Sequence, residues 1–477
     1  MDTTQKFELC VIGAGSAGLS LVAGAAQLGY STVLIEKSDM GGDCLNTGCV
    51  PSKALLKAGK VAQGFRGSDK FGIKSQEPEI DFAAVKKHVF SVIKVIEPMD
   101  SQERFEGLGA TVIREEAKFI DENTIQAGEH TITAKYFAIC AGSRPFIPPI
   151  KGIDKEKVYT NENIFDLKVK PKHLIIIGGG PIGVEMAQAH QRLGCKVSVI
   201  DMGPIMVNDD PELVEVVRNN LQNEGVELHE NSAVSSITHT AKTVTVHVEK
   251  DGKAIDIKGS HLLVATGRQA NSDKLDLEKA NVEFDRKGIK VDARLRTSQK
   301  HIFAAGDIAS GPQFTHIAGY HAGLIIRNIC FKMPAKVDYK ALPWVTYTDP
   351  ELANVGLTHK EALEKHGESK IKTISWPFEE NDRAQCEKST AGLIKVVACN
   401  NGKILGAGIV GPHAGELIGV WSLAITKGMK LKDLTGMIAP YPTFGEINKR
   451  VAGAWFTPSL FSDKTRKIVG WLKKLPF

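Results

Sequence analysis

Two stretches of this chain are built to one plan, and that repeat constrains the fold more than any other feature. Residues 7–37 and 172–202 each read as an apolar strand, a glycine-rich turn, an amphipathic helix and a second apolar strand ending in an acid. Gly13, Gly15, Gly18, Gly29 and Glu36 recur at one offset, 165 residues on, as Gly178, Gly180, Gly183, Gly194 and Asp201. A lone glycine-rich strand-to-helix turn also arises for packing reasons, but two copies with an acid 23 residues after the first glycine read as two dinucleotide-binding βαβ units. A backbone without Cβ makes the tight turn and lets a pyrophosphate approach the helix N-terminus, where free N–H groups and the helix dipole favour negative charge. The acid then accepts ribose hydroxyls. Asp201 is followed by Met202, Gly203, Pro204 and Ile205, with no arginine to hold a 2′-phosphate, which favours NAD(H) over NADP(H).

The 477 residues are enough for two to four units, each with its own core. Strand-like runs around Asp251-Gly252 and around an NNG turn ending at Gly402 read as hairpins. Helical patterns over 414–427 and 430–437 follow the second hairpin, giving an α+β unit there. The expected fold class is therefore α/β, with two Rossmann-like dinucleotide-binding domains and an α+β domain after them. Boundaries fall near 150, 275 and 345: a first domain over 1–150, a second over 151–275, a segment 276–345 completing the first, a last domain over 346–462, and a basic tail over 463–477. The net charge of +5 is small for this length and its basic residues form no stripe, which argues against nucleic acid and for a small-molecule substrate. Eight cysteines and fourteen histidines show no metal-ligand spacing and no disulfide scaffold, so no metal site is expected and the cytoplasm is the natural setting. The first strand starts within about ten residues of Met1 without an export signal, and no apolar run approaches the ~20 residues of a membrane span.

Between the first repeat and a helical pattern lies GGDCLNTGCVPSKALL, residues 41–56, with Cys44 and Cys49 five positions apart. Pro51 suits the first turn of the helix, so Cys49 lies at its N-terminus, where the dipole stabilises a thiolate. A turn at Gly48 lets the two sulfurs approach. With the two glycine turns, this segment resembles the glutathione reductase, dihydrolipoyl dehydrogenase and mercuric reductase family over nearly the whole chain. The resemblance implies that the first turn, with Gly42 of GGDC, binds FAD and that the second binds the nicotinamide dinucleotide. It further implies that Cys49 is the charge-transfer thiol, that Cys44 is the interchange thiol, and that Lys53 and Glu185 form an ion pair beside flavin N5. AAGD at 304–307 matches the segment whose aspartate, Asp307, bonds the ribityl chain, and Thr315 and His316 begin a helix aimed at the flavin pyrimidine. ATG ending at Gly267 matches the link out of the nicotinamide domain, and residues 347–358 resemble the opening of the dimerisation domain. The implied protein is a homodimer in which electrons pass from NADH through flavin to the disulfide, and Cys44 then attacks the substrate as a thiolate.

One segment departs from the family. APYPTFGE, residues 439–446, keeps Glu446 but has Tyr441 where relatives that use thiol substrates carry the histidine that reaches the interchange thiol from the partner subunit. A phenol of pKa near 10 is a poor proton shuttle at neutral pH. Mercuric reductases resemble this chain in having tyrosine there, yet the cysteine pair they carry near the C-terminus has no counterpart in WLKKLPF. Three readings follow: a disulfide or metal-ion reductase, a flavin-dependent NADH reductase of quinones or metal ions, and a redox-sensing FAD protein without turnover. His321 and His413 read as structural residues, and the other six cysteines as packing residues. In residues 463–477, Ile468, Val469, Leu472 and Leu475 share one helical face among Lys464, Arg466, Lys467, Lys473 and Lys474. This tail reads either as a helix docked on its own protein or as a weak membrane-surface contact with Trp471 at the interface.

Overall fold

A computed structural model describes residues 4–476; residues 1–3, part of the stretch read for an export signal, and Phe477 of the tail lie outside it. The first repeat forms the centre of a seven-stranded sheet. Gln5–Ile12 runs parallel to Thr32–Ile35 on one side and to His130–Ile139 on the other. Thr111–Ile113 extends the sheet beyond Thr32–Ile35. Leu9, Cys10, Val11, Val33, Leu34 and Ile35 are all buried, the continuous apolar pattern required of strands covered on both faces. Much later in the chain, Ile302–Ala304 adds a parallel strand beside His130–Ile139. The helix that follows it, Thr315–Ile329, packs on helix Ser16–Gln27 through Gly24, where a Cβ would fall 2.3 Å from Ile326.

The second repeat builds a four-stranded parallel sheet in the order Glu227–His229, Lys196–Ile200, His173–Ile177, His261–Val264. An antiparallel sheet, Ala233–His239, Val244–Lys250 and Lys253–Gly259, joins its core through Val244, Val246 and Val248. The expected hairpin is there: Asp251 and Gly252 take φ of 50° and 72°, the left-handed pair that closes a two-residue turn between twisted strands. A five-stranded antiparallel sheet follows, in the order Pro343–Thr346, Glu351–Gly356, Ile404–Gly411, Leu393–Cys399, Ile371–Pro377, with the NNG turn joining its central pair. Helices Ala414–Leu417, Gly419–Thr426 and Leu431–Thr435 replace the two longer helical patterns expected there. Buried Trp421 donates to Asn448 at 2.7 Å, tying helix Gly419–Thr426 to helix Glu446–Ala454.

One contact between the units positions the site. Helix Cys49–Arg66 of the first lies against helix Pro181–Arg192 of the second, closely enough that a Cβ on Gly59 would sit 3.3 Å from the Ala189 carbonyl. The base of that contact is pinned by buried Arg192, which meets Glu224 at 2.5 Å and Asp349, at the edge of the antiparallel domain, at 2.9 Å. The tail departs from its docked reading. Helix Asp463–Leu472 forms, capped by the Ser462 hydroxyl, but none of its residues is buried in the chain. Among the described residues no helix is long and apolar enough to cross a membrane.

Candidate active site

The two turns use their glycines identically. Gly13 and Gly178 have φ of 103° and 110°, and a Cβ on Gly18 or Gly183 would fall 1.9 Å from the carbonyl oxygen of Gly13 or Gly178. Gly15 and Gly180 are different: extended in backbone, each would project a Cβ into open space at the helix N-terminus, the space a pyrophosphate would take. Glu36 accepts from the Ala14 and Ser38 amides at 2.6 and 2.7 Å. Asp201 repeats this with the Gly179 and Gly203 amides at 2.6 and 2.8 Å. Each acid is thereby fixed beside its turn, as a ribose-binding carboxylate must be.

A cavity of about 1650 Å³ runs along the first turn and reaches the cysteines. Gly13, Gly15, Glu36, Gly42, Cys44, Cys49, Lys53, Glu185, Asp307, Thr315 and His316 all line it, so segments far apart in sequence converge on one space. Gly42, at φ 60°, lies against Gly15, where a Cβ would meet the Gly15 Cα at 2.8 Å. Cys44 sits in a short helix, Gly42–Asn46, and Cys49 opens helix Cys49–Arg66. Gly48 permits the reversal for a reason other than an unusual φ: a Cβ there would lie 2.8 Å from the Asp43 carbonyl oxygen.

The two cysteines, unbridged here, are not equivalent. A hydrogen bond from Cys44, with help from the Thr315 hydroxyl at 3.3 Å and the Lys53 ammonium, holds the Cys49 thiol down to about 6 against the opposing effect of burial. Cys44 is pushed up, because it shares its proton with Cys49 and is itself desolvated. Lys53 meets the buried Glu185 carboxylate at 2.9 Å, and the Tyr347 amide holds the other Glu185 oxygen at 2.9 Å. The Lys53 ammonium also lies 4.3 Å from the centre of the Tyr347 ring.

Asp307 accepts from Ser143 at 2.7 Å, and burial pushes its carboxyl up. Sequence reasoning missed the residue that closes this wall. Arg268 donates to Ser143 at 2.7 Å, lies 3.7 Å from Asp307, and meets Asp43, next to Cys44, at 3.1 Å. Thr47 and Asn161 also donate to Asp43, at 2.6 and 2.8 Å. The signal was present as the residue after Gly267, itself at φ 115° in the link between the domains. The shape, the open space at Gly15, the fixed Glu36 and the buried Asp307 fit an FAD molecule laid along this cavity. His316 is tied to the Pro343 carbonyl at 2.9 Å and its pKa is lowered by burial.

Other expected residues stay apart. Gly178, Gly180, Gly183, Asp201 and Gly267 belong to the second turn and its link and do not line the cavity. Tyr441 and Glu446 do not line it either. Tyr441 is 68% exposed, donates to Asp382 at 2.8 Å, and has its pKa raised chiefly by that bond. His321 is a structural residue: buried, pushed down to about 4, and bound to the Gly306 amide and the Tyr339 hydroxyl. Cys386 corrects the packing reading of the remaining cysteines, since it is exposed. Among the described residues no group of three His, Cys, Asp or Glu side chains is arranged to hold a metal ion.

The sequence profile described as pyridine nucleotide-disulphide oxidoreductase matches residues 7–322, and that of the family's dimerisation domain matches residues 342–452. A dihydrolipoyl dehydrogenase of Geobacillus stearothermophilus is 35% identical over 459 residues, covering 94% of this chain and 96% of that protein. A mercuric reductase of Lysinibacillus sphaericus is 33% identical over 451 residues, covering 94% of this chain and 82% of that one. Among solved structures, the HOCl-induced flavoprotein disulfide reductase RclA from Escherichia coli superposes with a TM-score of 0.84 at 27% identity, covering 94% of this chain and 99% of that one. With its paired glycine turns, a cysteine opening a helix five residues after a second cysteine, and these relatives over almost its full length, the chain belongs to the pyridine nucleotide-disulphide oxidoreductase family of FAD-dependent flavoproteins.

Proposed function

We propose that this protein is an NADH-linked, FAD-dependent reductase in which Cys49 is the inner thiolate and Cys44 the thiol that meets the electron acceptor. The asymmetry of the pair carries this reading: Cys49 opens helix Cys49–Arg66 within 3.3 Å of the Thr315 hydroxyl and its thiol is lowered there, while Cys44 lies in the preceding short helix and its thiol is raised. FAD bound along the cavity supplies the two-electron chemistry that joins nicotinamide to sulfur. The chain's own residues do the rest. Lys53, anchored by Glu185, sets a positive charge beside the inner sulfur. With a disulfide acceptor, Cys44 attacks one sulfur and expels the other, and the Cys44 proton passes to the departing thiolate. Cys49, already a thiolate, then attacks the Cys44 sulfur, releasing the second thiolate, which takes a proton from solvent, and closing the Cys44–Cys49 disulfide.

Three features refine the reading. Asp201 faces the second turn, and Arg218, the arginine on the adjoining helix, is committed to Glu230 and Glu215 and so is not available to a 2′-phosphate; this favours NADH. Tyr441 and Glu446, which do not line the cavity of their own chain, would complete the partner subunit's site in a homodimer, as the dimerisation domain suggests. A tyrosine bound to Asp382 is unsuited to shuttle protons for a thiol, which favours a metal ion or quinone as acceptor. Metal chemistry has precedent in relatives named mercuric reductase and in the Cu(II) complex of RclA. The intact Lys53–Glu185 pair and both thiols speak against a sensor without turnover. The setting of this reading is the cytosol. Its test is a pair of variants: Cys44→Ser abolishes turnover with disulfide acceptors while NADH still reduces the flavin, and Cys49→Ser removes the thiolate-to-flavin charge-transfer band. Unchanged turnover and spectra in both would refute the assignment.

A further inference from the structure

Residues beyond the family's dimerisation domain, which ends at 452, carry a surface that the redox site does not use. Helix Asp463–Leu472 has no buried residue, and Ile468, Val469, Trp471, Leu472 and Leu475 are each between 44% and 63% exposed. An isolated helix of ten residues is marginal in water, so this one gains its stability from whatever covers its apolar side. At ~100° per residue, Ile468 and Leu472 share one face of the helix, with Val469 and Trp471 along its borders and Lys464 at its N-terminal end. Arg466 and Lys467 lie off that face, and Lys473, Lys474 and Leu475 follow in the turn after the helix. Asp463 is the one acid against five basic residues in this stretch and lies 3.8 Å from Arg466, so its neutralising effect on these cations is slight.

We propose that helix Asp463–Leu472 is a monotopic membrane-surface anchor whose partner is a bilayer containing anionic lipid. Charge favours lipid over protein: five basic residues against one acid surround the apolar side chains, and an in-plane helix needs an apolar face, a bordering tryptophan and cations that reach anionic headgroups. At ~1.5 Å per residue the helix is too short to span and long enough to lie in the interface. Anchoring would hold the redox site where lipid-soluble oxidants such as quinones are concentrated.

The test is cosedimentation of the FAD-loaded full chain with mixed phosphatidylcholine–phosphatidylglycerol vesicles and with pure phosphatidylcholine vesicles. It includes a truncation after Phe461 and two full-length variants, Trp471→Ser/Leu472→Ser and Lys467→Glu/Lys473→Glu/Lys474→Glu. The expected result is binding to the mixed vesicles alone, falling about tenfold or more in each variant and at high salt, with flavin reduction by NADH and sedimentation mass unchanged. Equal behaviour of full and truncated chains would overturn the proposal, as would equal binding to neutral vesicles. A truncated protein that sediments as a monomer would also overturn it, assigning the helix to a subunit contact.

Discussion

The ionisation of Cys49 is the property on which the redox asymmetry rests, and its size follows from the contacts around the sulfur. With the Cys49 thiol lowered from 9.0 to about 6, the thiolate is favoured at neutral pH, where an unperturbed thiol is mostly protonated. Replacing Thr315 by valine keeps the side chain's shape and deletes the hydroxyl 3.3 Å from the sulfur. A hydrogen bond to a charged group is worth ~1.5–3 kcal/mol, and a long bond to sulfur falls at or below the low end, so Thr315→Val raises the midpoint by about 1 pH unit. Lys53→Met removes a charge that is 37% exposed and therefore screened, giving a rise of ~0.5–1 unit. It also leaves the Glu185 carboxylate buried without its cation, at a cost of ~1–3 kcal/mol after allowing for that exposure. The assay is a pH titration of charge-transfer absorbance in FAD-loaded Cys44→Ser protein, where the serine hydroxyl keeps a donor beside Cys49, compared with the same protein carrying Thr315→Val or Lys53→Met. A midpoint between 8 and 9 in the parent, or no upward shift in either variant, would refute the electrostatic reasoning.

NADH is expected to reduce the flavin at least about tenfold faster than NADPH at equal low concentration, because Asp201 repels a 2′-phosphate and Arg218 is held by Glu230 and Glu215; stopped-flow rate constants within twofold of each other would contradict this. Tyr441→His is expected to raise turnover with dihydrolipoamide, by roughly tenfold, by restoring a group of suitable pKa; no gain in steady-state rate would show that the thiol site lacks more than its base. Gly18→Ala places a methyl group 1.9 Å from the Gly13 carbonyl oxygen unless the turn shifts, so thermal unfolding is expected to show a loss of ~1–3 kcal/mol together with weaker FAD retention. An unchanged melting temperature would mean that the turn is looser than it looks.

The parts of this site that depend on short-range chemistry were legible in the sequence. The two turns, the acids fixed beside them, the placement of Cys49 at a helix start and the Asp251-Gly252 hairpin each follow from residues within a few positions of one another or from the repeat. The Lys53–Glu185 pair was reached through family resemblance alone, because it depends on how one unit's helix lies across another's. The Arg268 junction was missed for the same reason. Residues 43, 143, 268 and 307 belong to four separate segments, and no local pattern announces that crossovers between the domains bring them together. Tyr347 was read as the opening of the dimerisation domain, yet its amide and ring are what hold Glu185 and Lys53 in place. Periodicity gave the tail its helix but could not say what would cover it.

The central claim, that a working electron relay ends on Cys44 and Cys49, is tested most directly by anaerobic titration of the FAD-loaded protein with NADH. After one equivalent, the account predicts long-wavelength thiolate-to-flavin charge-transfer absorbance, an oxidised flavin spectrum and two newly titratable thiols. Bleaching of the flavin at the first equivalent, with no such band and no gain in thiols, would contradict it.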